Sequence, residues 1–204
     1  MSSDVTAGLV PDIYGQVHPE ETLDLVNNRI AAFDKAVKAV TKVESEQNKC
    51  LLQATSKCPE LLSEKFKLLF LRCEVFNVDL AVKRYVKYWK TRVEVYGNEK
   101  AYRKLTVSDS LSEDNGTLST GYICLVEGAS DEKGRSILLA DPSTQDRSKY
   151  SREGMRRVFW YTMHCALESE NAQRHGVVIL VHPEHAKFGQ FDRKLQKTLI
   201  GSLQ

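Results

Sequence analysis

The 204-residue sequence lacks any long apolar run, and its strongest one, Val177 to Val181, spans five residues. A helix that crosses a bilayer needs about 20 apolar residues, so no membrane-spanning segment is expected. The first twenty residues contain neither a basic cluster nor an apolar core, which predicts that no secretory signal peptide is present. Together these two absences predict a cytoplasmic protein.

The cysteines lack the spacing of a disulfide framework or a metal site. The five cysteines are odd in number and none forms a C-x-x-C pair, which argues against a disulfide framework and a zinc knuckle. The net charge of +2 is too small to make nucleic acid the main partner. Hydrophobic residues at 42% and charged residues at 27% are typical of a folded globular chain.

Sequence patterns of catalysis are missing as well. The chain has no G-x-S-x-G nucleophile elbow and no glycine-rich loop of the kind that holds phosphates. The run His182-Pro183-Glu184-His185, together with His175, contains metal-ligating side chains. Proline prevents this run from forming an H-E-x-x-H helix, and no third ligand is evident. We therefore predict a protein with no enzymatic activity, no cofactor and no metal.

Helical periodicity dominates the first half of the chain. Residues 1–19 are rich in small and polar residues and are predicted to form a flexible lead-in. Residues 20–97 carry apolar residues at spacings of three and four, which predicts an N-terminal helical subdomain. The apolar stripe of its first helix, residues 22–53, includes Ile30, Phe33 and Val37. This helix can pack on the rest of the chain or form a homodimer as a short coiled coil.

The hydrophobic period changes in the second half. Residues 98–117 are polar and are predicted to be a linker. Strands are predicted at 118–127 and 136–140, followed by a helix and a strand at 177–181. Because this last strand is β-branched and apolar throughout, we expect it to be covered on both faces.

A strand that is covered on both faces needs neighbouring strands on both edges and layers on both faces. The sheet predicted for residues 118–204 has too few strands to provide them. We therefore expect the sheet to be incomplete. Three explanations stay open. The first is that the sequence is a piece of a longer chain. The second is that the predicted gene omits part of the coding sequence, and the third is that another chain completes the sheet.

Four short motifs occur in a fixed order between residues 60 and 204. They are the runs at 70–81 (FLRCEVFNVDLA, followed by Trp89), 131–137 (DEKGRSI) and 176–181 (GVVILV), and the pair Phe191-Asp192 before the last helix. In order and spacing they resemble the motifs of the CRAL-TRIO family of lipid-binding proteins. Several positions depart from the family pattern. Ser136 replaces a proline and His182 replaces an aspartate, while Cys73, Glu74 and Val75 replace a small residue and two residues that are often basic.

The resemblance implies both a fold and a function. The fold is α/β, with the N-terminal helical subdomain followed by an incomplete mixed α/β sandwich of the CRAL-TRIO type at residues 118–204. Proteins of this family hold one hydrophobic molecule, such as a phosphatidylinositol, a phosphatidylcholine, a tocopherol or a retinoid, between a sheet and helices. They carry it between membranes, so the expected partners are a lipid ligand and a transient membrane surface.

Two sets of candidate site residues follow from this resemblance. The predicted pocket residues lie on the hairpin, the crossover helix and the last strand: Tyr122, Cys124, Val126, Leu138, Phe159, Met163, Ile179 and Val181. The predicted membrane-contact residues are basic: Arg147, Lys149, Arg152, Arg156 and Arg157. The alternatives are core packing for the first set and a solvated helix face for the second. The alternative function is a protein-interaction or regulatory fragment that binds no lipid and assembles through helix 22–53.

Overall fold

The structure is a computed structural model that describes residues 17–202. The chain divides into two compact units, Met1–Lys90 and Thr91–Gln204. Within the described residues it is mostly helical and has one three-stranded mixed sheet, which confirms the predicted α/β class. No helix in this part of the chain is long and apolar enough to cross a membrane. Most of the predicted lead-in, as well as Leu203 and Gln204, lies outside the described residues.

The first unit is built from helices. Its elements are α1 (Leu23–Val40), α2 (Lys49–Lys57), a 3-10 turn (Pro59–Leu61), α3 (Glu64–Cys73) and the part of α4 (Val78–Lys100) that precedes residue 91. Side-chain oxygens of Thr22 and Ser63 accept backbone N–H groups in the first turns of α1 and α3, as N-cap residues do.

Residues 22–53 form parts of two helices rather than the single helix predicted. Asn48, buried between α1 and α2, donates its amide to the carbonyls of Val40 and Val43 at 2.7 and 2.9 Å. Its Oδ1 also accepts the N–H of Ser45 at 2.8 Å. These bonds satisfy the carbonyls at the end of α1, so the chain turns there.

Aromatic side chains form the core of the first unit. The rings of Phe33, Phe66 and Phe70 lie 5.3, 5.9 and 5.0 Å from that of Tyr85, all in edge-to-face geometry. Phe33 is fully buried, as is Trp89. Ile30 is buried as well, and Val37 is half-buried, so two of the three named residues of the predicted dimer stripe belong to the helical core.

The first motif of the family resemblance forms the turn between α3 and α4. Val75 and Phe76 have φ values of 52° and 59°, a left-handed conformation that costs about 1 kcal/mol for each such residue. The N–H of Phe76 donates to the Leu71 carbonyl at 2.6 Å, and Asn77 Oδ1 caps α4 by accepting the N–H of Leu80. The motif therefore ends one helix and begins the next.

The second unit combines a sheet with helices on its connections. Its elements after α4 are α5 (Val107–Ser110), α6 (Asn115–Leu118), β1 (Ile123–Ser130), β2 (Ser136–Ala140), a 3-10 turn (Pro142–Thr144), α7 (Arg152–Ala166), α8 (Glu170–His175), β3 (Val178–Val181), a 3-10 turn (Phe188–Gln190) and α9 (Arg193–Gly201). Gly97, with φ 75°, interrupts the helical backbone of α4 near the predicted helix end.

The segment predicted to be a linker, residues 98–117, instead contains α5 and α6 and several buried side chains. Ala101 and Leu111 are fully buried, and Asp114 is 3% exposed. The guanidinium of Arg92 donates to the carbonyls of Ala101 and Arg103 at 2.6 and 2.5 Å. Polar composition did not predict this, because the polar groups of the segment are satisfied by partners distant in sequence.

The strands occur in the order β1-β2-β3. β1 is antiparallel to β2, with Ile123 opposite Ala140, and β2 is parallel to β3, with Leu138 opposite Ile179. The connection β2–α7–α8–β3 is the predicted crossover. The prediction that β3 is covered on both faces is wrong, because Ile179, Leu180 and Val181 are 40, 50 and 60% exposed. Within the described residues β3 pairs with one strand, β2, and is an edge strand of the sheet.

The imidazole of His164 on α7 predicts a pH dependence of stability. Burial and the nearby Arg92 charge together lower the pKa of His164 to about 4, although the Trp160 carbonyl, 2.7 Å from Nδ1, acts in the opposite direction. An unfolded histidine titrates near pH 6.5, so between about pH 6.5 and 4 the unfolded chain binds a proton that the folded chain does not.

We expect the free energy of unfolding to fall by up to about 3 kcal/mol as the pH decreases through this window. Urea denaturation at pH 7, 6, 5 and 4 measures the effect. The His164→Gln variant should lose this part of the pH dependence. An unchanged slope in that variant would assign the dependence to other groups.

Candidate functional site

The two faces of the sheet differ in how much of them is covered. On one face, Leu138 and Ala140 are buried, and the Ser136 hydroxyl donates to the Ala166 carbonyl at the end of α7 at 3.0 Å. This face is therefore the one on which α7 packs. Side chains alternate along a strand, so the opposite face carries the intervening positions. We call it the open face: Cys124, Ile137, Leu139, Val178 and Leu180.

Each side chain of the open face is partly or largely exposed. Cys124 and Leu180 are exposed, the latter to 50%, while Ile137, Leu139 and Val178 are half-buried. The register places Leu139 between Cys124 and Leu180, and Ile137 beside Val178. The three strands thus form a continuous apolar platform about 10 Å wide at the usual strand spacing.

This platform can remove apolar surface of another molecule from water. Burial of apolar area contributes about 25 cal/mol per Å², without directional requirements. The open face has no charged side chain, and its one polar group is the Cys124 thiol, which behaves as a small apolar group. The face is therefore suited to hold an apolar chain rather than to carry out proton transfer or bond cleavage.

The predicted pocket residues do not lie together. Cys124 belongs to the open face, whereas Val126 lies in the irregular part of the β1–β2 pairing between Leu125 and Ser130. Leu138, Ile179 and Val181 share the opposite face. The remaining three are distributed among the helices and the start of the sheet: buried Phe159 and half-buried Met163 on α7, and buried Tyr122 just before β1.

Tyr122 is held next to the beginning of α7 and α9. Burial raises its pKa, and the neighbouring Tyr150 and Asp192 raise it further. Its surroundings are thus a polar cluster of the core, which includes the ion pair of Arg152 with Asp192 at 2.9 Å.

Sequence reasoning missed four residues of the open face: Ile137, Leu139, Val178 and Leu180. Strand alternation groups Ile137 with Leu139, and Val178 with Leu180. The signal was therefore present in the sequence. The alternation groups residues by face, but it does not show which face is open, because that depends on the face against which α7 packs.

The predicted membrane-contact residues are largely engaged within the chain. The guanidinium of Arg157 forms two bonds with the buried Asp114, at 2.7 and 2.8 Å. Arg156 lies 3.7 Å from Glu94, and Lys149 lies 3.6 Å from Asp146. With Arg152 bound to Asp192, four of the five cations have an acidic partner, and Arg147 is exposed.

A histidine pair lies beyond the carboxyl ends of β2 and β3. The rings of His182 and His185 are 6.4 Å apart, and His182 Nε2 is 3.2 Å from a Glu184 oxygen. Asp141, at the end of β2, accepts the N–H of Ser143 at 2.8 Å, and this bonding lowers its pKa. Residues 17–202 contain no group of three or more side chains arranged to hold a metal ion.

Comparison with known proteins adds no assignment. No protein-family model matches the chain, and no curated protein is significantly similar to it. The resemblance to the CRAL-TRIO motifs therefore stays a prediction from the sequence runs at 70–81, 131–137 and 176–181. The open face is the feature of the structure on which a functional proposal can be built.

Proposed function

We propose that the chain binds one hydrophobic lipid on the open face of its sheet and acts as a carrier without catalysing a reaction. The observation that carries this proposal is that all three strands contribute apolar side chains to the open face, and that each of these side chains is partly or largely exposed. The sequence resemblance to lipid-binding proteins supports it independently. The ligand class includes phospholipids, phosphoinositides and isoprenoid-like molecules.

Desolvation supplies the binding free energy in this proposal. A lipid tail gains about 0.8 kcal/mol for each CH₂ that leaves water, and the side chains beneath it lose contact with water as well. Ile137 and Leu139 lie on the central strand β2, where a tail would contact neighbours on both sides. No bond is made or broken, which agrees with a face that carries no acid, base or nucleophile array.

The alternative is an interaction fragment that assembles through its N-terminal helix. Of the three residues that would form that interface, Ile30 and Phe33 are buried in the aromatic core of the first unit, and Val37 is half-buried. Polar substitutions there are expected to unfold the unit, because they remove core packing. The stripe that this alternative requires is thus largely buried, whereas the apolar open face of the sheet is exposed. This contrast favours the lipid hypothesis.

Leu180 and Val181 provide a matched test of this proposal. They are adjacent on β3, 50 and 60% exposed, and they lie on opposite faces of the sheet. We expect Leu180→Lys to lower lipid binding at least tenfold, because a charge placed against an apolar tail costs more than about 1.4 kcal/mol. Val181→Lys should bind like the unsubstituted chain.

The measurement is extraction of the purified chain with organic solvent after incubation with mixed-lipid liposomes, followed by mass spectrometry. One lipid class at a ratio near one to one, lost in Leu180→Lys and retained in Val181→Lys, supports the proposal. Circular dichroism checks that both variants are folded. A folded chain that retains no lipid, or equal loss in both variants, would contradict it.

A further inference from the structure

Three large apolar side chains project into water from the segment that follows β3. Phe188 is 99% exposed, Phe191 is 53% exposed and Ile200 is 63% exposed. We call residues 187–201, which include the 3-10 turn and α9, the docking segment. Single exposed apolar side chains are common on proteins, whereas a contiguous apolar patch marks a contact surface, and Phe191 and Ile200 line one cleft.

Helix α9 is amphipathic, and it presents one of its faces to water. Leu195 and Leu199 are buried on the side where α9 packs on α7. The opposite side carries Arg193, Lys197 and Ile200, which line a solvent-open cleft of about 480 Å³ together with Phe191. Apolar and cationic side chains therefore alternate on the same exposed surface.

The docking segment is positively charged. It contains Lys187, Arg193, Lys194 and Lys197, and within the described residues none of them takes part in an ion pair. Its one acid, Asp192, is buried and holds Arg152 and the N–H of Leu195. The exposed surface of the segment therefore offers four cations and no carboxylate.

We infer that the docking segment binds the surface of an anionic lipid bilayer. Phe188, Phe191 and Ile200 enter the boundary between headgroups and acyl chains, and the cations contact the headgroups. Exposed apolar side chains flanked by lysine and arginine are the composition of interfacial membrane anchors. Each cation near an anionic membrane adds to the attraction, which salt screens.

This surface is distinct from the five cations predicted from the sequence, most of which have acidic partners. It is also distinct from the open face of the sheet, and membrane binding by the segment does not require a lipid to be carried. A nucleic acid is a weaker candidate partner. Ile200 has no role on a phosphate backbone, and the chain carries a net charge of only +2.

Vesicle sedimentation tests the inference on the full chain. The probes are vesicles of phosphatidylcholine alone and of phosphatidylcholine with about one third phosphatidylserine. We expect binding to the mixed vesicles that weakens as salt rises. Phe188→Ser should lower the partition coefficient about tenfold, since it removes an apolar side chain from the bilayer boundary. The matched control is Leu23→Ser, which removes an apolar side chain that is 81% exposed on α1.

Charge reversal tests the electrostatic part. The double variant Arg193→Glu with Lys197→Glu should abolish the preference for anionic vesicles. The control, Lys35→Glu with Lys38→Glu on α1, changes the net charge by the same amount and should retain most of this preference. These positions are exposed, so the variants should fold. The inference fails if the unsubstituted chain does not bind mixed vesicles, or if each variant behaves like its control.

Further outcomes separate this inference from its alternatives. Self-association that Phe188→Ser abolishes, without vesicle binding, would assign the surface to a second copy of the chain and overturn the inference. Leu180→Lys should keep vesicle binding even when it loses the carried lipid. Failure of the lipid-carrier proposal and failure of membrane docking are therefore distinguishable.

Discussion

Replacement of Trp89 by alanine is expected to lower the free energy of unfolding of the first unit by about 4 kcal/mol. The indole is fully buried, with ring centroids 6.2 Å from Phe66 and 5.5 Å from Tyr88. Alanine removes the largest side chain of this aromatic core and leaves a cavity that rigid neighbouring rings cannot fill. The edge-to-face contacts, worth about 0.5–1.5 kcal/mol for each aromatic pair, are lost as well.

Urea denaturation followed by circular dichroism measures this loss without depending on tryptophan fluorescence. Trp89→Phe is the conservative control, and it should cost clearly less, since it keeps an aromatic ring in the core. A loss below about 1 kcal/mol for Trp89→Ala would show that the core can repack around the missing ring, contrary to the packing described.

Removal of the Asp114 carboxylate should also cost about 4 kcal/mol, as measured for buried pairs that lose one partner. Asp114 accepts two bonds from Arg157, and this pairing raises the pKa of the guanidinium. In Asp114→Ala, the Arg157 side chain keeps its position, 22% exposed, but loses its counter-charge. The uncompensated charge, rather than the lost attraction alone, accounts for the size of the effect.

The neighbouring acid provides the control for this prediction. The Glu113 side chain is 77% exposed, and Glu113→Ala should change the stability by less than about 0.5 kcal/mol. Thermal unfolding of both variants gives the comparison. Equal, small effects would mean that residues 98–117 behave as the linker that their composition predicts. A large effect at Asp114 alone would show that α6 is part of the packed second unit.

Local signals in the sequence were sufficient for several elements. Thr22, Ser63 and Ser151 each accept an N–H in the first turn of the helix they precede. Such caps act within four residues, so sequence carries them directly. The strand–helix–strand crossover was predicted, because a β-branched run after an amphipathic helix restricts the connection. These features depend on neighbours in the chain.

The helix break at Asn48 and the ordered segment at 98–117 were not predicted. Asn48 stops α1 through bonds to carbonyls five and eight residues away, which periodicity does not record. Asp114 is buried because Arg157, 43 residues further on, reaches it. A polar residue with a distant partner is indistinguishable in sequence from one that faces water.

The sequence by itself determined the class of fold and the strand–helix–strand crossover. It could not determine which parity of each strand meets α7, because both parities of β2 and β3 are apolar. Tertiary packing buried Leu138 and left Leu139 and Leu180 on the open face. Packing also held Asp192 inside and left Phe188 in water, because a side chain's exposure depends on which distant elements cover it.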